Sequence, residues 1–192
     1  MNTKNLIWIV LIVVVGFSVF NIVKVMTEKP QYNQVSFRAV YTFNRDGTTT
    51  MENDVAFAFN SVEEMQKSYD FFQSTTQEEK IKSYKDVLDQ LSEKIPEKIE
   101  ILNYSSESKI EEGLLVLREV ATVKGFQTSG GGKMTTGFGE NQIQLQSNSQ
   151  LIFVFPDDAE IISMNPLPEK KDGNILYWDK AGTLKFPIVE YE

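Results

Sequence analysis

The chain has 192 residues, carries a formal charge of -8 and contains neither histidine nor cysteine. An acidic chain lacks the basic footprint that nucleic acid and anionic lipid surfaces require, so no nucleic-acid partner is expected. Without imidazole or thiol, Ser-His-Asp and Cys-His catalysis, ordinary zinc and copper sites and a lipid-modified cysteine anchor are all excluded.

After Lys4 and Asn5 the segment LIWIVLIVVVGFSVFNIV runs from Leu6 to Val23, broken only by Gly16, Ser18 and Asn21. A spanning helix needs about 20 mostly apolar residues, and this run lacks the polar stripe that a core helix keeps. Residues 1–26 are therefore expected to form a membrane anchor, with the lipid bilayer as partner. Gly16-Phe17-Ser18 offers a signal-peptide cleavage site, but apolar sequence continues through it as Val19, Phe20, Ile22 and Val23, so the uncleaved anchor fits better. Lys24, Lys29 and Arg38 outnumber Lys4, a bias against export. Long domains translocate largely regardless of nearby charge, and a very short N-terminal tail stays in the cytoplasm. The domain is expected outside the cytoplasm.

Residues 27–34, beginning TEKPQYN, read as a stalk, and residues 35–192 as a single domain of about 160 residues, large enough for a real core. VSFRAVYTF places Val35, Phe37, Ala39, Tyr41 and Phe43 on one face of a strand. Asp46-Gly47 is a hairpin turn signal, and the return strand NDVAFAF turns Val55, Phe57 and Phe59 inward. Two helices follow, each opened by a capping box: Ser61 with Glu64, and Thr76 with Glu79. Val62, Met65, Tyr69 and Phe72 share a face of the first helix. Ile81, Tyr84, Leu88 and Leu91 share a face of the second, which must end near Pro96. The pairs Glu63-Glu64 and Glu78-Glu79 lie in first helical turns, where negative charge complements the helix dipole, so they are not read as acid/base catalysts.

From IEILNYSS onward the chain reads as short strands punctuated by turns: GLLVLREVATVKGF, QIQLQ, QLIFVF, EIISMNP, NILYW and TLKFPIVEY. The stretch TSGGGKMTTGFG, residues 128–139, invites comparison with a phosphate-binding loop. Gly132-Lys133 is followed by Met134 instead of a hydroxyl residue, Gln127 stands where the first glycine belongs, and β alternation follows where a helix should begin. A mobile connection between strands is expected, with Lys133, Thr135 and Thr136 as candidate ligand contacts. Tyr177 and Trp178 are adjacent and must face opposite sides of a strand, so one of them is a candidate exposed aromatic for a ligand or partner. Asp157, Asp158 and Glu160 are the candidates for a carboxylate-dependent hydrolase, and no dedicated calcium-loop pattern accompanies them. Asn103-Tyr104-Ser105 is a glycosylation sequon.

The phrase FPDDAEIISMNPLPEKKDGNILYW resembles a stretch of uncharacterised, membrane-anchored exported proteins in which a strand ending at proline leads to Gly-Asn, an apolar pair and a closing Trp. With the N-terminal run, the chain is similar to a family classed as a domain of unknown function. The likeness covers the anchor and about the last 40 residues, implies export, and carries over no catalytic residue. The expected architecture is α+β: an antiparallel sheet of six to eight strands with two helices packed on one face, plus the N-terminal transmembrane helix. The expected function is a non-enzymatic extracytoplasmic interaction or binding module without a cofactor, with an envelope protein as possible partner. A carrier or sensor domain for an apolar small molecule is the first alternative, and the hydrolase the second.

Overall fold

In the computed structural model, which describes residues 32–92, 98–138 and 141–192, the first hairpin follows its alternation from Phe37 onward, while the register shifts between Gln34 and Ser36 and leaves Val35 half-buried and unpaired. β1 (Tyr32–Phe43) pairs antiparallel with β2 (Thr48–Phe59), and Phe37, Ala39, Tyr41 and Phe43 are buried opposite Val55, Asn53, Met51 and Thr49 respectively. The turn is held by Asp46, whose Oδ1 accepts from the Thr48 amide at 2.9 Å, while Gly47 takes φ +81. β1 begins at Tyr32, inside the segment read as stalk. The expected anchor lies outside the described residues, among which no helix is long and apolar enough to cross a membrane.

Both helices open at the expected caps, and the second cap is a full capping box. Ser61 Oγ accepts from the Glu64 amide at 3.2 Å, opening α1 (Val62–Ser74). Thr76 Oγ1 accepts from the Glu79 amide at 3.3 Å while Glu79 returns an acceptor to the Thr76 amide at 3.0 Å, opening α2 (Gln77–Ser92). Met65 and Phe72 of α1, and Tyr84, Val87 and Leu88 of α2, are buried. Val62 departs from expectation at 74% exposure, while Met65 in the same turn is buried. Pro96 and the Leu91 side chain lie outside the described residues.

β3 (Glu100–Glu111) and β4 (Leu114–Lys124) extend the first hairpin. β5 (Gln127–Gly130) and β6 (Lys133–Thr136) follow, then β7 (Gln142–Leu145), β8 (Ser149–Val154), β9 (Ile161–Asn165), β10 (Lys170–Asp172), β11 (Ile175–Trp178), β12 (Gly182–Lys185) and β13 (Ile188–Tyr191). A seven-stranded sheet runs β10-β11-β8-β1-β2-β4-β3, beside a four-stranded sheet β5-β6-β13-β9 and the pair β12-β7. The expectation of a wholly antiparallel sheet is corrected at one place: β8 lies parallel to β1, with Tyr41 beside Phe153. Alternation had given the buried face of each strand and not its neighbour.

One face of the large sheet is covered in two halves. The helices cover β2, β4 and β3. Over β1, β8 and β11 lies an aromatic core in which Tyr41, Phe43, Phe153, Phe155 and Trp178 meet Phe126, Phe138, Phe186 and Tyr191 from the smaller sheets and their connections. Buried Gln127 ties the layers together: its amide donates to Thr48 O at 2.7 Å and Thr49 Oγ1 at 3.1 Å, and its carbonyl accepts from the Tyr191 hydroxyl.

Burying tyrosines has a consequence at high pH. Burial raises the hydroxyls of Tyr41 and Tyr84, and pushes Tyr32 and Tyr191 up to about 12, from an ordinary value of 10.0. An acid whose folded pKa is raised keeps its proton better in the native state, so this stabilisation is complete below pH 10 and is lost as pH rises above it. Lys80 acts the other way, since burial lowers its pKa and the folded state gives up that proton first. Four tyrosines outweigh one lysine, and cooperative alkaline unfolding is expected above pH 10. Tyrosinate absorbance and near-UV circular dichroism should change together; tyrosine ionisation in a protein that stays folded would contradict this.

Candidate binding surface

The glycine stretch does connect two strands, and the connection is short. It is a tight hairpin, in which Gly130 pairs with Lys133 and the turn consists of Gly131 and Gly132, at φ +62 and +83. Both turn positions need positive φ, which glycine adopts without steric cost. Lys133 Nζ pairs with Glu190 at 2.8 Å on the neighbouring strand. Thr135 stands opposite Glu190 and Thr128. Thr136 is buried, and its Oγ1 accepts from the Val189 amide at 3.1 Å. These three candidates thus serve the four-stranded sheet.

The aromatic pair divides as a strand requires. Trp178 is buried in the core, and its indole donates to Pro166 O at 3.3 Å. Tyr177 is half-buried on the opposite face, with the Lys170 ammonium 5.0 Å from its ring centre. Neither presents a free aromatic platform. Asp157, Asp158 and Glu160 are exposed, and Asp158 pairs with Arg45 at 3.0 Å, a contact that lowers its pKa. All three acids are exposed in the connection between β8 and β9.

The outer face of the large sheet supplies a different arrangement. Register sets Arg38 of β1, Asp54 of β2, Arg118 of β4 and Glu107 of β3 in one line across four strands, with alternating charge. Side chains directly opposite on adjacent strands stand within reach of one another, so opposite charges attract along this line. Arg38 Nη1 lies 3.7 Å from Asp54 Oδ2, Arg118 Nε 3.7 Å from Asp54 Oδ1, and Arg118 Nη2 donates to Glu52 Oε2 at 2.8 Å. The hydrogen bond to Glu52 and the charge of Asp54 raise the Arg118 pKa further.

Beside this line runs a groove of about 430 Å³ lined by Asp54, Glu107, Ser108, Lys109, Val116 and Arg118. A second, of about 220 Å³, shares Glu107 and Arg118 with it. Asn103 of the sequon is exposed on the same strand, and Tyr104 between it and Ser105 is buried. Sequence reasoning passed over Arg38, Asp54, Arg118 and Glu107, because polar residues at alternate strand positions look like any solvated face. Only strand order and register bring them into line.

Fold and surface define an α+β domain whose principal sheet is covered on one face and accessible on the other at β1, β2, β4 and β3. The chain belongs to a family described as Domain of unknown function (DUF4897), which matches residues 32–192 and therefore extends well beyond the C-terminal phrase that carried the first resemblance. Among solved structures, the chain is similar to the folded domain of the LppM protein of Mycobacterium tuberculosis, determined by NMR. Identity is 12%, the TM-score 0.48, and the match covers 84% of this chain and 91% of that one. No curated protein matches the chain.

Proposed function

We propose that this protein is a membrane-anchored, non-enzymatic binding module, held by the apolar run Leu6–Val23 with its α+β domain outside the cytoplasm. Its accessible sheet face engages an envelope protein partner. The observation that carries the reading is the alternating line Arg38–Asp54–Arg118–Glu107. Exposed ion pairs contribute only about 0–1 kcal/mol each to stability, so folding alone gives little reason for such a line. Held on a sheet, it is a fixed pattern of charge, and complementary patterns confer specificity and orient encounter. The adjoining groove is of a size to accept partner side chains. The alternative, a carrier for an apolar small molecule, draws less support, because the groove is lined mainly by charged and polar residues.

Arg118→Glu would place a further negative charge among Glu52, Asp54 and Glu107. Partner recovery with the protein from detergent-solubilised membranes should fall by at least about tenfold, as expected for like charges brought together in an interface. The melting temperature should fall by only a few degrees from the like charges now opposite one another, and Lys180→Glu, exposed beyond the end of β11, should leave recovery intact. Equal recovery from wild type and both variants would remove the outer face as the binding surface.

A further inference from the structure

Inside the domain, one cross-strand line is polar amid an apolar core. Register sets Asn53 of β2 beside Glu119 of β4, and Glu119 beside Ser106 of β3. The adjacent line on one side is Met51, Ala121 and Tyr104, and on the other Val55, Leu117 and Ser108. Asn53 and Glu119 are both 0% exposed. The helix layer forms the cover. Lys80 and Tyr84 of α2 are buried there, and the Lys80 ammonium stands 3.9 Å from the centre of the Phe72 ring.

The polar groups of this line exceed the protein partners offered to them. Neither Nδ2 nor Oδ1 of Asn53 has a hydrogen-bond partner among the described residues, and the same holds for Ser106 Oγ. Among the described residues the Tyr84 hydroxyl donates to the Met51 thioether, at 3.7 Å, a weak acceptor. The Tyr104 hydroxyl, by contrast, donates to Glu119 Oε1. Buried polar groups in native interiors are satisfied, by water or another guest where the protein supplies nothing. Asn53 offers one donor group and one acceptor, and Ser106 offers both in a single hydroxyl, so the complement is a group that also donates and accepts. A charged guest is disfavoured, since the Glu119 charge already acts on Lys80 and a further ion would be buried without its counterpart.

We infer that the unpartnered groups of Asn53 and Ser106 bind a small uncharged hydroxyl compound, water or a polyol, beneath the helix layer. This inference does not depend on the partner proposed for the outer face, although Ser106 also borders the smaller groove there. The line itself is legible in the sequence: Asn53 shares strand parity with Val55 and Phe57, as Glu119 does with Leu117 and Ala121, so each is a polar residue at a core position.

The test is cross-relaxation NMR on the full chain in detergent micelles, observing the Asn53 side-chain amide protons with and without glycerol as the probe. Long-lived water cross-peaks at these protons are expected, lost in Asn53→Leu together with a fall in Tm of about 3–8 °C. Persistence of the water peaks in glycerol assigns the site to water; their replacement by glycerol peaks assigns it to polyols. If Asn53→Leu does not fold, Ser106→Ala should fold and show the same peaks weakened. Absence of cross-relaxation to both water and glycerol overturns the inference. So does a raised Tm in Asn53→Leu, because an apolar side chain of similar shape relieves a polar group that has no guest.

Discussion

Phe153→Ala is expected to destabilise the domain by about 3–5 kcal/mol, the range for removing a large buried aromatic. Phe153 is 0% exposed and lies on β8, the strand that joins β1 to β11 within the large sheet. Its ring meets those of Tyr41, Phe43, Phe155, Trp178 and Phe186, at centroid distances from 4.9 to 6.3 Å. Alanine would leave a cavity between the large sheet and the smaller sheets that cover it, where surrounding rings are held by several partners each and can collapse only in part. Tyr177→Ala, on the opposite face of the neighbouring strand, is the control and should cost less than about 1 kcal/mol. Urea unfolding of the two variants decides the matter: similar losses would mean that the aromatic core is not where the stability of the layered fold resides.

Gly125→Ala should be costly for a different reason. Gly125 holds φ +90, a conformation that L residues rarely adopt, and a Cβ there would stand 2.5 Å from the carbonyl oxygen of Lys98. The obstacle is backbone at the entry to β3, so no side chain can swing aside. Backbone strain of about 1–3 kcal/mol adds to an overpacking cost of about 1–3 kcal/mol. Gly113 provides the comparison, with φ +78 and nothing within 4 Å of its Cβ position. Gly113→Ala should show the conformational cost alone, so the difference between the two measured losses isolates the contact. Equal losses would show that Lys98 gives way freely.

The sequence made some of this architecture legible and hid the rest for identifiable reasons. Alternation identified β1 and β2, and hydroxyl–carboxylate pairs three residues apart located both helix starts, because these signals are local. Strand adjacency is not local. Nothing near Tyr41 or Phe153 announces that their strands run side by side in the same direction. The charge line on the outer face was hidden by the same limit, since Arg38, Asp54, Glu107 and Arg118 are spread across four strands. In the glycine stretch, composition marked the connection but not its form: glycines supply the positive φ of a two-residue turn, and the residues around it pair. Lys133, Thr135 and Thr136 were visible as polar side chains beside that turn, but their partners Glu190 and Val189 lie on the last strand.

The proposed anchoring by residues 1–26 places the domain on the outer side of a membrane. Ser129 is exposed near the tip of the β5–β6 hairpin, and the chain has no cysteine. A Ser129→Cys variant therefore carries one reporter thiol for a membrane-impermeant maleimide. Labelling of intact cells to the same extent as lysed cells is the predicted result. Labelling only after lysis would place the domain in the cytoplasm and contradict the account.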